Sequence, residues 1–246
     1  MSAETLSPDE EQIYAAVQML VTAIKERPEE SSIVFNSLPD GSLIRDIIDA
    51  ATDTLLDISS HLPDFFAKYL DRDALPHAPS LLFLGFGEGS ELLHARALFP
   101  ESLIMGVDKS VGEMGVLSAM KADAVWLEED LGKKSPDAIL RVLGTMPDVV
   151  IARHPSIGPD PIMNHVLAEW GNLMSMASRP MLITTFTTDE RYLVTNSLLE
   201  ANVLPLLSEY SEGSPANISF VDGRIAHVMQ DRYVVQITSS LSRHQM

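Results

Sequence analysis

Apolar residues follow two alternating rhythms along this chain. A short unbroken run at 81–84 has the pattern of a strand buried on both faces of a sheet, a second apolar run covers 103–107, and 148–152, 181–186 and the β-branched 233–238 read as further strands. Residues 124–128 and 204–210 read as further extended segments. Between them, helical spacing covers 91–98, 111–121, 135–143, 162–176 and 190–201. Strands alternating with helices predict a mostly parallel sheet covered on both faces, a Rossmann-like three-layer α/β fold. The last two long strands have no clear helix between them, which predicts an antiparallel final strand. Asp222-Gly223 marks a small hairpin within 218–230.

The first part of the chain has a different rhythm. Ser7-Pro8-Asp9-Glu10 opens a helix, and Ile13, Val17, Leu20, Val21 and Ile24 recur at its spacing until Arg27-Pro28 stops it. Residues 28–42 read as turn-rich, with one short apolar run at 33–35. Further helices are expected over 43–58 and 62–70, the latter carrying Phe65, Phe66 and Tyr69. Pro76-His77-Ala78-Pro79 then breaks helix ahead of the first strand. The expected division is a helical extension or lid at 1–76 and an α/β domain at 77–246.

Composition narrows the function classes. The chain has 246 residues, 46% of them hydrophobic and 21% charged, an ordinary globular balance. No apolar run approaches the roughly 20 residues needed to cross a bilayer. The polar, acidic start MSAETLSPDEEQ lacks the features of a signal peptide. There are no cysteines, which excludes disulfides and thiolate chemistry and fits a reducing, cytoplasmic setting. The formal charge is −18, with 35 acids against 17 bases and no basic cluster, which argues against a nucleic-acid partner. A small or cationic partner is compatible with it, as is a homo-oligomer.

One stretch carries candidate chemistry. In SLLFLGFGEGSELL, Gly85, Gly87 and Gly89 follow a buried strand and open a helix. Glycines there remove the Cβ atoms that keep a ligand from the backbone and permit positive φ. Asp108 ends the next strand, about 20 residues beyond the glycines, where a carboxylate accepts hydrogen bonds from a ribose diol. Together they point to a bound nucleoside.

Residues 80–239 resemble a class I S-adenosylmethionine-dependent methyltransferase, through LLFLGFGEG, GVDKS, LEEDL and PDVVIARHP in that order. The resemblance implies a seven-strand sheet and S-adenosylmethionine as cofactor; separately, no His, Asp or Glu grouping has metal-ligand spacing, so no metal is expected. It implies cofactor contacts from Gly85, Phe86, Gly87, Glu88 and Gly89, from Asp108 and Lys109, and from Asp130, Leu131 and Arg153. Asp130 would approach the adenine amino group and Leu131 would pack on the ring. It also implies a small-molecule acceptor methylated at oxygen or nitrogen, with His154 the candidate general base because an unperturbed histidine changes charge near neutrality.

The chain departs from the family at Phe83, where an acid is common. It departs again at RHPSIG, which lacks the Asn-Pro-Pro-Tyr type signature of enzymes acting on planar amide or base nitrogens. Two other classes stay open. One is a non-catalytic binding protein of the same fold. The other is a nicotinamide-dependent oxidoreductase, whose third glycine falls where this chain has Ser90. Bland readings accompany the site residues. Asp130 could be a loop acid, Arg153 could anchor a substrate carboxylate or pair with an acid, and Tyr14, Phe65, Phe66 and Tyr69 fit core packing better than a pocket roof.

Overall fold

The computed structural model of the chain describes residues 8–153, 155, 157, 162–185, 187–209, 219–221, 224–227 and 233–237. Its strands are β1 (Ser80–Leu84), β2 (Leu103–Asp108), β3 (Ala124–Glu128), β4 (Val149–Arg153) and β5 (Met181–Thr185). They continue with β6 (Leu206–Glu209), β7 (Ser219–Val221), β8 (Arg224–His227) and β9 (Tyr233–Ile237). Seven of them form one sheet in the order β3-β2-β1-β4-β5-β9-β6. β1 to β5 pair in parallel, and β9 runs antiparallel between β5 and β6. β7 and β8 form the separate antiparallel pair expected around Asp222-Gly223, two residues that lie outside those described.

Strand direction in sequence reverses between β1 and β4: β2 and β3 build outward on one side, β5 on the other. In sheets of this kind the crevice at the carboxyl ends of the two diverging strands is where ligands bind. At the opposite end the pair is clasped by Asp148, which accepts from both the Ser80 amide (2.9 Å) and hydroxyl (2.8 Å).

Alternate residues of each strand feed two cores. Leu81 and Phe83 face one, while Leu82 and Leu84 face the other. The second core is closed by α7 (Pro136–Leu143), α8 (Ile162–Met176) and α9 (Thr188–Glu200). Their ends are set locally. Ser135 caps α7 ahead of Pro136, and Thr187 with Glu190 forms a capping box on α9.

The first core is closed by α5 (Ser90–Leu98), α6 (Glu113–Lys121) and the N-terminal helices α1 (Pro8–Glu26), α2 (Ser31–Ser37), α3 (Leu43–Ile58) and α4 (Leu62–Tyr69). α3 and α4 pack on α5, and α1, α2 and α3 on α6. Phe66 of α4 meets Phe83 of β1 edge to face, 6.2 Å between ring centroids. That contact gives a physical reason for Phe83 in place of an acid. Its ring is 1% exposed beneath the extension, and a carboxylate there would be desolvated without a partner.

The expectation of a turn-rich 28–42 is corrected. Pro28–Glu30 is a 3-10 helix that runs straight into α2. Only Phe35 of the run at 33–35 is fully buried, and Ile33 is exposed. So short a helix carries too few apolar positions to show a period, and its packing on α6 and β3 holds it in place.

Candidate functional site

The glycine-rich turn begins where β1 ends. Gly85 donates to the Val107 carbonyl (2.7 Å), and Gly89 donates back to Phe86 (2.8 Å). Gly85, Gly87 and Gly89 have φ of +75°, +52° and +83°, a region open to glycine and strained for other residues. The three differ in their surroundings. A Cβ placed on Gly85 or Gly87 meets nothing within 4 Å, whereas on Gly89 it would lie 2.6 Å from the Ser118 Cβ of α6. The first two leave bare backbone beside open space, and the third lets α5 and α6 approach.

Phe86 holds the turn down. Its ring is buried where a Cβ on Gly106 would sit, 2.6 Å from the nearest ring carbon. Any share it takes in binding a ligand therefore falls to its main chain. Gly115 opens α6 for the Gly87 carbonyl in the same way. Gly106 and Gly115 were not singled out from sequence. A lone glycine inside the strand LIMGVD was the available signal for a close backbone or side-chain approach.

Asp108 turns toward this loop. One carboxylate oxygen accepts from the Gly87 amide (2.9 Å) and the other from the Ser110 amide (3.1 Å). Each carboxylate oxygen offers two acceptor positions, so a vicinal diol can still be received. Glu88 is exposed, and its carbonyl accepts from the Ser118 hydroxyl (2.7 Å). Past β3, Asp130 accepts from the Gly132 amide (3.0 Å) and pairs with Lys133 (3.2 Å) and Lys109 (3.8 Å). The Gly132 hydrogen bond, with help from Lys133, holds its carboxyl below the usual range. Leu131 is buried in the core on the α7–α9 side.

Arg153 ends β4. Phe83 is in register with Ile151, so two residues on Arg153 stands level with Gly85. Its guanidinium lies 3.4 Å from the Glu91 carboxylate in the first turn of α5, with both side chains more than nine-tenths buried. The Ser90 hydroxyl donates to the same Glu91 oxygen (3.0 Å). Glu91 was read from sequence only as a helix residue. An acid in the first turn of an otherwise apolar helix was its one mark. Behind the pair, His94 of α5 lies 2.9 Å from the Ser59 hydroxyl. Burial, followed by the charges of His61 and Arg153, pushes its pKa down to about 4.

His154 lies outside the described residues. Of the four aromatics, Phe65 and Phe66 are core, as expected. Tyr69 is half-buried and bonded to Ser208 (3.3 Å), while Tyr14 is exposed rather than packed. Tyr14 accepts from Gln18 (2.8 Å), which also donates to Glu113 at the start of α6 (2.9 Å). With Lys25 lying 3.6 Å from Glu128, α1 passes the carboxyl ends of β2 and β3. Among the described residues no group of three or more His, Cys, Asp or Glu could hold a metal ion, and no helix is long and apolar enough to cross a membrane.

No protein-family model matches the chain, and no curated protein matches it in sequence. In structure it is similar to an O-methyltransferase family protein from Burkholderia thailandensis. The two are 15% identical, with a TM-score of 0.54, over 96% of this chain and 74% of that one. It is also similar to magnesium protoporphyrin IX methyltransferase from Synechocystis PCC 6803 with bound SAM, at 13% identity and a TM-score of 0.48, over 97% of this chain and 100% of that one. At such identities the likeness is one of fold. The seven-strand sheet with an antiparallel strand between β5 and β6 is the Rossmann-like fold of class I methyltransferases.

Proposed function

We propose that this chain is an S-adenosylmethionine-dependent methyltransferase acting on an oxygen or nitrogen of a small molecule. The observation that carries the reading is the open space over Gly85 and Gly87, bounded by the Asp108 carboxylate at the point where strand order reverses. A nucleoside fits such a place. Bare backbone admits it closely, and a carboxylate one strand away can accept from both ribose hydroxyls. Around that center, the main chain of Phe86 and Glu88, the side chain of Lys109 and the ionised Asp130 line the loops that would face the adenine, with Leu131 supporting them from the core.

When bound, the cofactor supplies an electrophilic methyl group on a sulfonium, whose sulfur leaves as a neutral thioether. The chain's own work is alignment and exclusion of water. It also includes removing one proton from the acceptor as the new bond to the methyl carbon forms. His154, the residue after β4, is the base proposed for that proton. α1 to α4 are proposed to wall the acceptor side, a reading supported by the Gln18–Glu113 and Lys25–Glu128 contacts. The acidic balance favours a neutral or cationic acceptor over a nucleic acid.

Calorimetric titration with S-adenosylhomocysteine tests the reading. The wild-type chain is expected to bind, and Asp108→Ala to bind at least about tenfold more weakly, a loss of about 1.4 kcal/mol. Equal affinity in the two proteins removes the ribose assignment.

A further inference from the structure

Two polar contacts of α1 converge on a single stretch of chain, residues 108–113, which leads from β2 into α6. Gln18 and Lys25 are seven residues apart, two turns along one face of the helix. Gln18 donates to the Glu113 carboxylate at the start of α6 (2.9 Å), and Tyr14, one turn earlier, accepts from the same amide (2.8 Å). Lys25 lies 3.6 Å from one oxygen of Glu128, and that same oxygen accepts from the Val111 amide (3.2 Å). Glu128 ends β3 in register with Asp108, which ends β2. The two acids divide the stretch between them: Asp108 takes the Ser110 amide and Glu128 the next one. Beneath it the Val111 side chain is fully buried, in the core that also holds Val17, Val21 and Ile24 of α1. As surface contacts, these polar pairs add little to stability. Walling the acceptor side accounts for the presence of α1, but not for where its polar groups land.

We propose that α1 is a strap on the loop that presents Asp108. Gln18 and Lys25 are positioning residues, and they act through Glu113 and Glu128. Lys25 holds the long Glu128 side chain against the Val111 amide, and Gln18 fixes the far end of the loop at Glu113. Within that hold the Ser110 amide meets one oxygen of Asp108, and the other oxygen stays on Gly87. A carboxylate oriented in advance loses less freedom when a diol binds, so affinity rises without any contact between α1 and the ligand. Linkage makes the effect reciprocal. A ligand that favours the strapped loop tightens α1 by the same factor by which α1 tightens the ligand.

This inference rests on the nucleoside reading, and its test separates the two. Gln18 and Lys25 are exposed, so Gln18→Ala/Lys25→Ala is expected to fold with a urea midpoint near that of wild type. Calorimetric titration with S-adenosylhomocysteine is expected to show about three- to tenfold weaker binding by this double variant. Lys25→Arg, which keeps the charge, is expected to stay within about twofold of wild type. So is Arg27→Ala, which removes a cation just beyond α1 that pairs with Glu30 instead (3.4 Å). A second readout needs no variant. Saturating S-adenosylhomocysteine is expected to slow amide exchange across residues 12–26 of the wild-type chain by about threefold or more, and to leave it unchanged in the double variant. A folded double variant that binds as tightly as wild type overturns the strap, as does a wild-type α1 whose exchange is indifferent to bound ligand. In either case the nucleoside site stands. If the wild-type chain does not bind S-adenosylhomocysteine, the nucleoside reading falls and takes the strap with it.

Discussion

Single positions in the glycine-rich turn separate ligand space from packing space. Gly87 and Gly89 share a left-handed backbone, yet a methyl group on the first enters open space and on the second strikes α6. Gly87→Ala is expected to cost about 1–2 kcal/mol of stability from strain alone, and to weaken S-adenosylhomocysteine binding by about tenfold or more because the methyl occupies ligand volume. Gly89→Ala adds overpacking against Ser118 to the strain and is expected to cost about 1–3 kcal/mol in a urea titration. A Gly89 variant that is as stable as wild type would contradict the packing role. At the same scale, His154→Ala is expected to lower the maximal methylation rate by about 100-fold or more if the residue removes the acceptor proton. The acidic limb of the pH–rate profile should disappear with it.

At the scale of elements, the joint between α5 and the N-terminal helices is sensitive to acid. His94 sits in that joint beside Ser59, within the field of His61 and of Arg153, itself paired to Glu91. Folded, it titrates near 4; unfolded, it titrates near 6.5. As pH falls, the unfolded chain takes up this proton first. The stability that depends on neutral His94 is complete above about pH 6.5 and is lost progressively toward pH 4. Urea midpoints at pH 7 and pH 5 should therefore differ more for wild type than for His94→Gln, and equal differences would remove His94 from the acid response. The α4 contact can be tested as directly. Phe66 is 1% exposed, and Phe66→Ala is expected to cost about 3–5 kcal/mol. A smaller loss would mean that the extension packs less tightly on the sheet than the Phe66–Phe83 contact indicates.

Across the whole molecule, an excess of acids over bases sets partner choice more than fold. At physiological salt a single-stranded polynucleotide is expected not to bind measurably, because the chain has no basic cluster with which to displace counterions. Salt-sensitive binding in a gel-shift assay would reverse that exclusion. The mostly parallel sheet with an antiparallel last strand was legible, though not its order, because strand segments alternate with helical periods and the last two long strands have none between them. The meeting of Gly85 and Gly87 with Asp108 at one turn was legible too, since glycines after a buried strand and an acid ending the next strand follow a fixed spacing. α2 was not, since seven residues with one core anchor leave no readable period. Glu91 was not, since an acid in the first turn of a helix is ordinarily a solvated one.

By itself, then, the sequence determined the strands, the longer helices and the turn that opens the crevice, because hydrophobic period and glycine placement are local properties of the chain. Tertiary structure alone decided that Arg153 meets Glu91, that Phe83 serves the helical extension and that His94 is buried. Each of these joins residues from elements distant in the chain, and their protonation and exposure depend on neighbours that only the completed packing supplies.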